Sequence, residues 1–291
     1  MASEKREATG FGDKLTAAMG RSGSLLCVGL DPDPARFPTA LRGMPVGEAI
    51  VAFNRAIVEA TSDLVCAYKP NLGFYAAAGV AGIEALVATR ELIPGDIPVI
   101  LDCKVGDLGN TAAAYARAYF DEWGFDAVTA NPYLGEDSLA PFLSYPSRGV
   151  FILCKTSNPG SGELQDLVTG DAMTPLYLTL AERAKRWAKD YPATVGLVVG
   201  ATYPAQLGDV RATVGELPIL VPGIGTQAGD VSAAVAQGLD SGGAGLIVTA
   251  SRAITYAGSG DDFAEQARQA ATRFRDHINV ARESARIETN L

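Results

Sequence analysis

The stretch Val99 to Thr111 reads V-I-L-D-C-K-V-G-D-L-G-N-T and changes character half-way. Pro98 leads into the wholly apolar run Val99, Ile100, Leu101, which predicts a short buried strand, and that strand ends on Asp102, Cys103 and Lys104. Side chains two apart share one face of a strand, so Asp102 and Lys104 point one way while Leu101 and Cys103 point the other. Asp107 follows after the turn-forming Gly106, so a single lysine is bracketed by two carboxylates within six residues. Neighbouring negative charge favours the ammonium form, the wrong state for a nucleophile or Schiff base and the right one for a proton donor. A structural ion pair at a strand end would carry the same residues, so the rest of the chain has to decide between the two.

Seven further apolar runs share this design: Leu25 to Leu30, Leu64 to Tyr68, Ala127 to Ala130, Val150 to Cys154, Val195 to Val199, Pro218 to Val221 and Gly245 to Val248. Polar or glycine residues stand at the C-terminal end of nearly every run, among them Asp31, Lys69, Asn131, Lys155 to Ser157, Gly200, Gly223, and Ser251 with Arg252. Helical spacing fills most of the connections, at Gly47 to Ala60, Ile83 to Leu92, Thr111 to Phe120 and Pro175 to Lys189. Continuous apolar strands imply a parallel sheet buried on both faces, and eight strand and helix units in a chain of this length point to an α/β fold closed into a (β/α)8 TIM barrel. The rival, an open doubly wound sheet, lacks support because no glycine-rich fingerprint follows the first strand. We expect a single barrel domain over 11–280, a polar N-terminal tail at 1–10 and a polar C-terminal tail at 281–291. Phe11, Leu15 and Met19 share one helix face and are expected to cover the barrel floor. In a barrel the loops after the strands meet at one mouth, where Asp31, Lys69, Asp102, Lys104, Ser157 and Arg252 would gather.

The composition narrows the function. The chain has 291 residues, 48% hydrophobic and 20% charged, which suits one large globular domain. Its net charge of -9 argues against nucleic acid or an anionic membrane surface as the main partner, although a few local cations would suffice for a small anion. The four cysteines each lie in an apolar strand run and read as free thiols. The sole histidine, His277, sits in a polar helix, and no cysteine pair has metal-ligand spacing, so zinc sites and histidine triads are not supported. No apolar run is long enough to cross a bilayer and the N-terminus has no apolar core, so a soluble cytoplasmic protein is expected.

Two late segments complete the mouth. Pro222 to Gln227, P-G-I-G-T-Q, is a glycine loop after the seventh run, and Ser251 and Arg252 follow the eighth. Barrels often bind phosphate at this place through backbone N–H groups, and Arg252 adds a forked cation suited to phosphate oxygens. The D-C-K-V-G-D-L-G-N-T run, Leu30 and Asp31, Lys69, T-S-N-P-G at Thr156 to Gly160, the P-G-I-G-T-Q loop and Ser251-Arg252 together resemble the orotidine 5'-phosphate decarboxylase family, in its longer bacterial branch. Leu108 departs from the β-branched residue usual in the family, and Ser251 stands where other branches have glycine. The resemblance implies that Asp31 and Lys69 hold the ribose hydroxyls, with Lys69 also steadying Asp102. It places Asp102 against the substrate carboxylate and makes Lys104 the proton donor to C6 of the pyrimidine. Asp107 would enter from a second subunit with Thr111 nearby, Ser157 would contact the pyrimidine, and Gln227 and Arg252 would grip the phosphate, beside Pro222 and Ser251. It implies a homodimer with shared sites, a nucleotide substrate, no cofactor and no metal. The alternatives are a magnesium-dependent sugar-phosphate decarboxylase or aldolase on the same barrel, and a non-catalytic nucleotide-binding barrel. The first wants a further acidic ligand where Leu101 stands, and the second gives no reason for Lys104 between two acids.

Overall fold

The computed structural model describes residues 10–170, 173–223 and 228–289. Eight parallel strands form one sheet: β1 (Leu26–Leu30), β2 (Ala67–Pro70), β3 (Ile100–Val105), β4 (Ala127–Ala130), β5 (Gly149–Lys155), β6 (Thr194–Val199), β7 (Ile219–Val221) and β8 (Leu246–Ala250). Each of the eight apolar runs is one of these strands. Successive strands from β3 to β8 are hydrogen-bonded neighbours, and β8 pairs with β1 and β1 with β2. Bridges from Tyr68 to Val99 and from Asn71 to Asp102 join β2 to β3, which closes the ring.

Two apolar layers follow from the strand alternation. Side chains pointing inward, including Cys27, Cys66, Ile100, Phe151, Val198, Leu220 and Ile247, fill the barrel, while Val28, Leu101, Val128, Ile152 and Leu197 face the helices. Helix α1 (Phe11–Ser22) sends Phe11 and Leu15 into the inner layer from below. The Phe11 ring meets Phe151 edge-on with centroids 5.7 Å apart, and it lies where a Cβ on Gly149 would sit, 2.7 Å from the ring. The floor is thus plugged, as the spacing of Phe11 and Leu15 predicts, and polar chemistry is left to the opposite, C-terminal end of the strands.

The outer ring consists of α2 (Val46–Thr61), α3 (Leu72–Ala76), α4 (Gly79–Leu92), α5 (Gly109–Arg117), α6 (Glu136–Leu143), α7 (Gly162–Gln165), α8 (Leu176–Asp190), α9 (Pro204–Val214), α10 (Ala228–Gly238), α11 (Arg252–Thr255) and α12 (Phe263–Thr289). The short α3, α7 and α11 ride on the mouth loops, and a small hairpin of Val168–Thr169 with Thr174–Pro175 lies between α7 and α8. One boundary differs from expectation. The stretch 281–291, read as a polar tail, continues α12 as far as Thr289. Its polarity belongs to one face only, because Ile278 and Ala281 are buried and Arg282 donates two hydrogen bonds, of 3.1 and 2.9 Å, to the carbonyl of Gly243.

Candidate active site

Asp102 is the centre of the mouth. It ends the inward-facing series of β3, one position past Leu101 of the outer layer, so the alternation that buries Ile100 in the barrel aims Asp102 up its axis. One carboxylate oxygen, Oδ1, accepts from Lys104 Nζ at 2.6 Å and from the Thr129 hydroxyl at 3.0 Å. The other, Oδ2, accepts from Lys69 Nζ at 3.0 Å and from the Asn71 amide at 3.2 Å. Burial pushes the Asp102 carboxyl up, but the charges of Lys69 and Lys104 and their hydrogen bonds outweigh it and hold the group well below the usual carboxylate range. Burial acts downward on Lys69, and there Asp102 and then Asp31 win, keeping its ammonium above the ordinary lysine value. A lysine that is 4% exposed therefore stays charged, paired with Asp102 and favoured further by the charge of Asp31.

Lys104 is placed by a break in the strand. The register between β3 and β4 shifts between Leu101 and Val105, and Lys104 takes a left-handed backbone with φ of 47°. Such a conformation costs a non-glycine residue roughly 1–2 kcal/mol and persists only where surrounding structure enforces it. Here the Thr129 hydroxyl accepts the Lys104 backbone N–H at 2.9 Å, so one threonine fixes both the Lys104 main chain and the Asp102 carboxylate. The ammonium end is left half-exposed above Asp102, where a substrate atom can reach it.

Beside this dyad a cleft of about 520 Å³ is lined by Asp31, Lys69, Asn71, Asp102, Pro222, Gly223, Ser251 and Arg252, with Arg36 at its edge. Asp31 Oδ1 is buried there without a hydrogen-bond partner, an acceptor turned toward whatever fills the cleft. Its loop is fixed by Tyr256, whose hydroxyl donates to the Asp31 carbonyl at 3.2 Å and accepts from the Asp33 N–H at 2.5 Å, and whose ring lies under the Arg36 guanidinium at 4.1 Å. Ser251 is admitted next to β1 only because position 29 is glycine: a Cβ there would lie 1.8 Å from the Ser251 hydroxyl. Arg252 opens α11 and is exposed.

Most of the sequence-derived site therefore comes together. Asp31, Lys69, Asp102, Lys104, Pro222, Ser251 and Arg252 share the cleft or its rim, and Ser157 packs against Gly223 and Gly200 at its side. Asp107 and Thr111 stand apart. The Asp107 carboxylate accepts the Leu108 N–H at 2.8 Å and forms no ion pair among the described residues, and Thr111 is exposed in the first turn of α5. Gln227 lies outside the described residues. Sequence reasoning missed Asn71, Thr129, Arg36 and Tyr256. Two of them had a signal, since Asn71 lies two residues past Lys69 and Thr129 is the one polar side chain in its apolar run.

The family model described as "Orotidine 5'-phosphate decarboxylase / HUMPS family" matches residues 24–270. A Thermomicrobium roseum protein named orotidine 5'-phosphate decarboxylase is 57% identical over 272 residues, 94% of this chain and 96% of the relative. One of the same name from Azoarcus is 50% identical over 276 residues, 94% of this chain and 99% of that one. The solved structure of the Leishmania donovani OMP decarboxylase, 40% identical, superposes with a TM-score of 0.81 over 94% of this chain and 99% of its own. With the match running through every strand but none of the flanking tails, the chain belongs to the orotidine 5'-phosphate decarboxylase / HUMPS family.

Proposed function

We propose that this protein is a carboxy-lyase that converts orotidine 5'-phosphate to uridine 5'-phosphate in pyrimidine biosynthesis, without a cofactor, using Lys104 as the proton donor. The observation that carries the reading is Asp102 fixed between Lys69 and Lys104 at the cleft, a preorganised row of alternating charge. Breaking the C6–carboxylate bond releases carbon dioxide and leaves its electron pair on C6, where no ring position can delocalise it. An ammonium beside that carbon stabilises the developing charge and then delivers the proton that completes the product. Asp102 lies against the departing carboxylate and orients Lys104, and the buried Lys69 keeps Asp102 ionised as it does so. Asp31 and Lys69 take the ribose hydroxyls, which gives the unpartnered Asp31 oxygen its donor. Arg252 grips the phosphate with Pro222, Ser251 and Gln227, and Ser157 meets the pyrimidine.

The site is completed by a second copy of the chain. Asp107, whose carboxylate makes no ion pair with Lys104, is assigned together with Thr111 to the partner's mouth. The exposed Leu108, Tyr133 and Leu134, on the loops after β3 and β4, and Phe74 on the short α3 after β2 are apolar surface at the mouth end that a second copy would cover. Among the described residues no helix is long and apolar enough to cross a membrane, and we place the enzyme in the cytoplasm. The test is the loss of ultraviolet absorbance on adding orotidine 5'-phosphate, with and without a chelator. Turnover is expected in both, and it should vanish in Lys104→Ala while uridine 5'-phosphate still binds. Turnover that needs added magnesium, or that survives Lys104→Ala, overturns the assignment.

A further inference from the structure

We infer that Gln165, backed by the ion pair of the buried Lys155 with the half-exposed Asp166, is a positioning residue that sets Ser157 against the base of the substrate; the inference rests on the assignment of Ser157 to the pyrimidine. Lys155 ends β5 and is wholly buried, yet it bonds to none of Asp102, Lys69 and Lys104 and the mechanism does not use it. Its ammonium is 2.6 Å from Asp166 Oδ1 and 4.6 Å above the Tyr203 ring. The next residue pair repeats the link one step further out. Gln165 Oε1 accepts the Thr156 N–H at 2.8 Å, and Gln165 Nε2 donates to the Thr156 hydroxyl at 2.8 Å, which in turn donates to Asn158 Oδ1 at 2.7 Å. Two consecutive rungs, 155 to 166 and 156 to 165, thus fasten the stretch before Ser157 to the end of α7.

From below, Ser157 sits in a notch that two glycines leave open. A Cβ at position 200 would lie 2.7 Å from the Ser157 Cα, and one at position 223, where φ is +89°, would lie 3.2 Å from its Cβ. The serine backbone is held on two sides, and its hydroxyl has no partner among the described residues. A hydroxyl fixed in place and unspent is suited to reading a polar edge of a ligand. Neither rung bonds to Asp31, Lys69 or Arg252, the described residues assigned to the ribose and phosphate, so the clamp is assigned to the base.

The experiment is a double-mutant cycle of Gln165→Ala with Ser157→Ala, read as kcat/KM for orotidine 5'-phosphate and as affinity for uridine 5'-phosphate and for ribose 5-phosphate. Gln165→Ala should lower kcat/KM roughly 10-fold through the loss of two hydrogen bonds that fix the loop. It should weaken uridine 5'-phosphate while leaving ribose 5-phosphate unchanged, and adding Ser157→Ala should cost little more. Thr156→Val, which removes the hydroxyl bonds to Gln165 and Asn158 but keeps the Thr156 N–H bond to Gln165, runs the same cycle should Gln165→Ala fail to fold. Losses that multiply, or an equal loss for both phosphates, overturn the clamp. A wild-type protein that leaves orotidine 5'-phosphate intact overturns the parent assignment instead.

Discussion

Lys69→Met is expected to destabilise the barrel by about 2–3 kcal/mol, because it strips a buried carboxylate of one of its two cations. At the 3.0 Å separation of Lys69 Nζ from Asp102 Oδ2, and with an effective dielectric of about 20, the gross attraction is about 5.5 kcal/mol. Desolvation of both groups offsets about half of this, and after the substitution Asp102 still keeps Lys104, Asn71 and Thr129. The clean measurement is a cycle of Lys69→Met with Asp102→Asn, followed by urea unfolding at several pH values. In the double variant neither group is left unpaired, so the two losses should not add, with a coupling of about 2 kcal/mol. The pH dependence follows from the directions of the two shifts. Asp102 has its carboxyl lowered on folding, so its contribution is complete above the unfolded value of 3.8 and fades as the pH falls through the lowered native one. Lys69 is raised, so its contribution is complete below the unfolded value of 10.5 and fades only as the pH rises through the higher native one. The coupling should therefore be flat from about pH 5 to pH 9. A coupling below about 0.5 kcal/mol, or one that varies within that window, would refute the picture of a fixed ion pair.

Arg252→Ala should weaken uridine 5'-phosphate by roughly 10- to 150-fold, the equivalent of one charge-assisted contact of about 1.5–3 kcal/mol, and isothermal titration checks it. Lys104→Gly should unfold at higher urea than Lys104→Ala by about 1 kcal/mol, because glycine relieves the left-handed backbone at φ 47°, while both remain inactive; equal stability would mean that the site stores no strain there. Mixing inactive Asp107→Ala and Lys104→Ala dimers under subunit exchange should restore about a quarter of wild-type activity, since half the dimers are mixed and each holds one intact site. No recovery despite demonstrated exchange would assign Asp107 to its own subunit.

The barrel was legible because burial on both faces leaves a strong trace. Each strand of a closed parallel sheet must be apolar throughout, and each must end in polar residues where the chain surfaces, so the eight runs stood out without any knowledge of pairing. The floor was legible for the same reason, in the 11, 15 spacing of Phe11 and Leu15. The end of α12 was not, because a helix that packs through a narrow line of small residues such as Ala281 looks polar when it is averaged over its length. In the site, the charged centre followed from strand periodicity alone, since Asp102 and Lys104 differ by two and Lys69 ends its own run. Tyr256 did not, because its bonds to Asp31 and Asp33 cross 225 and 223 residues of sequence and depend on β8 lying beside β1.

The break at Lys104 shows why pattern reasoning succeeds on the residue and fails on its geometry. Strict alternation places Lys104 on the Asp102 face, and the 2.6 Å pair agrees, yet the backbone reaches that position through a register shift and a left-handed turn. A regular strand would carry Lys104 on along the β-sheet wall. The turn instead folds its chain back over the carboxylate, leaving the ammonium half-exposed above a carboxylate that is nearly covered. The conformational cost is met by Thr129, a buried hydroxyl that a hydrophobic run has no packing reason to contain. Polar groups inside an apolar pattern and strained backbone beside them are therefore two marks of one cause, a charged centre held rigid before the substrate arrives.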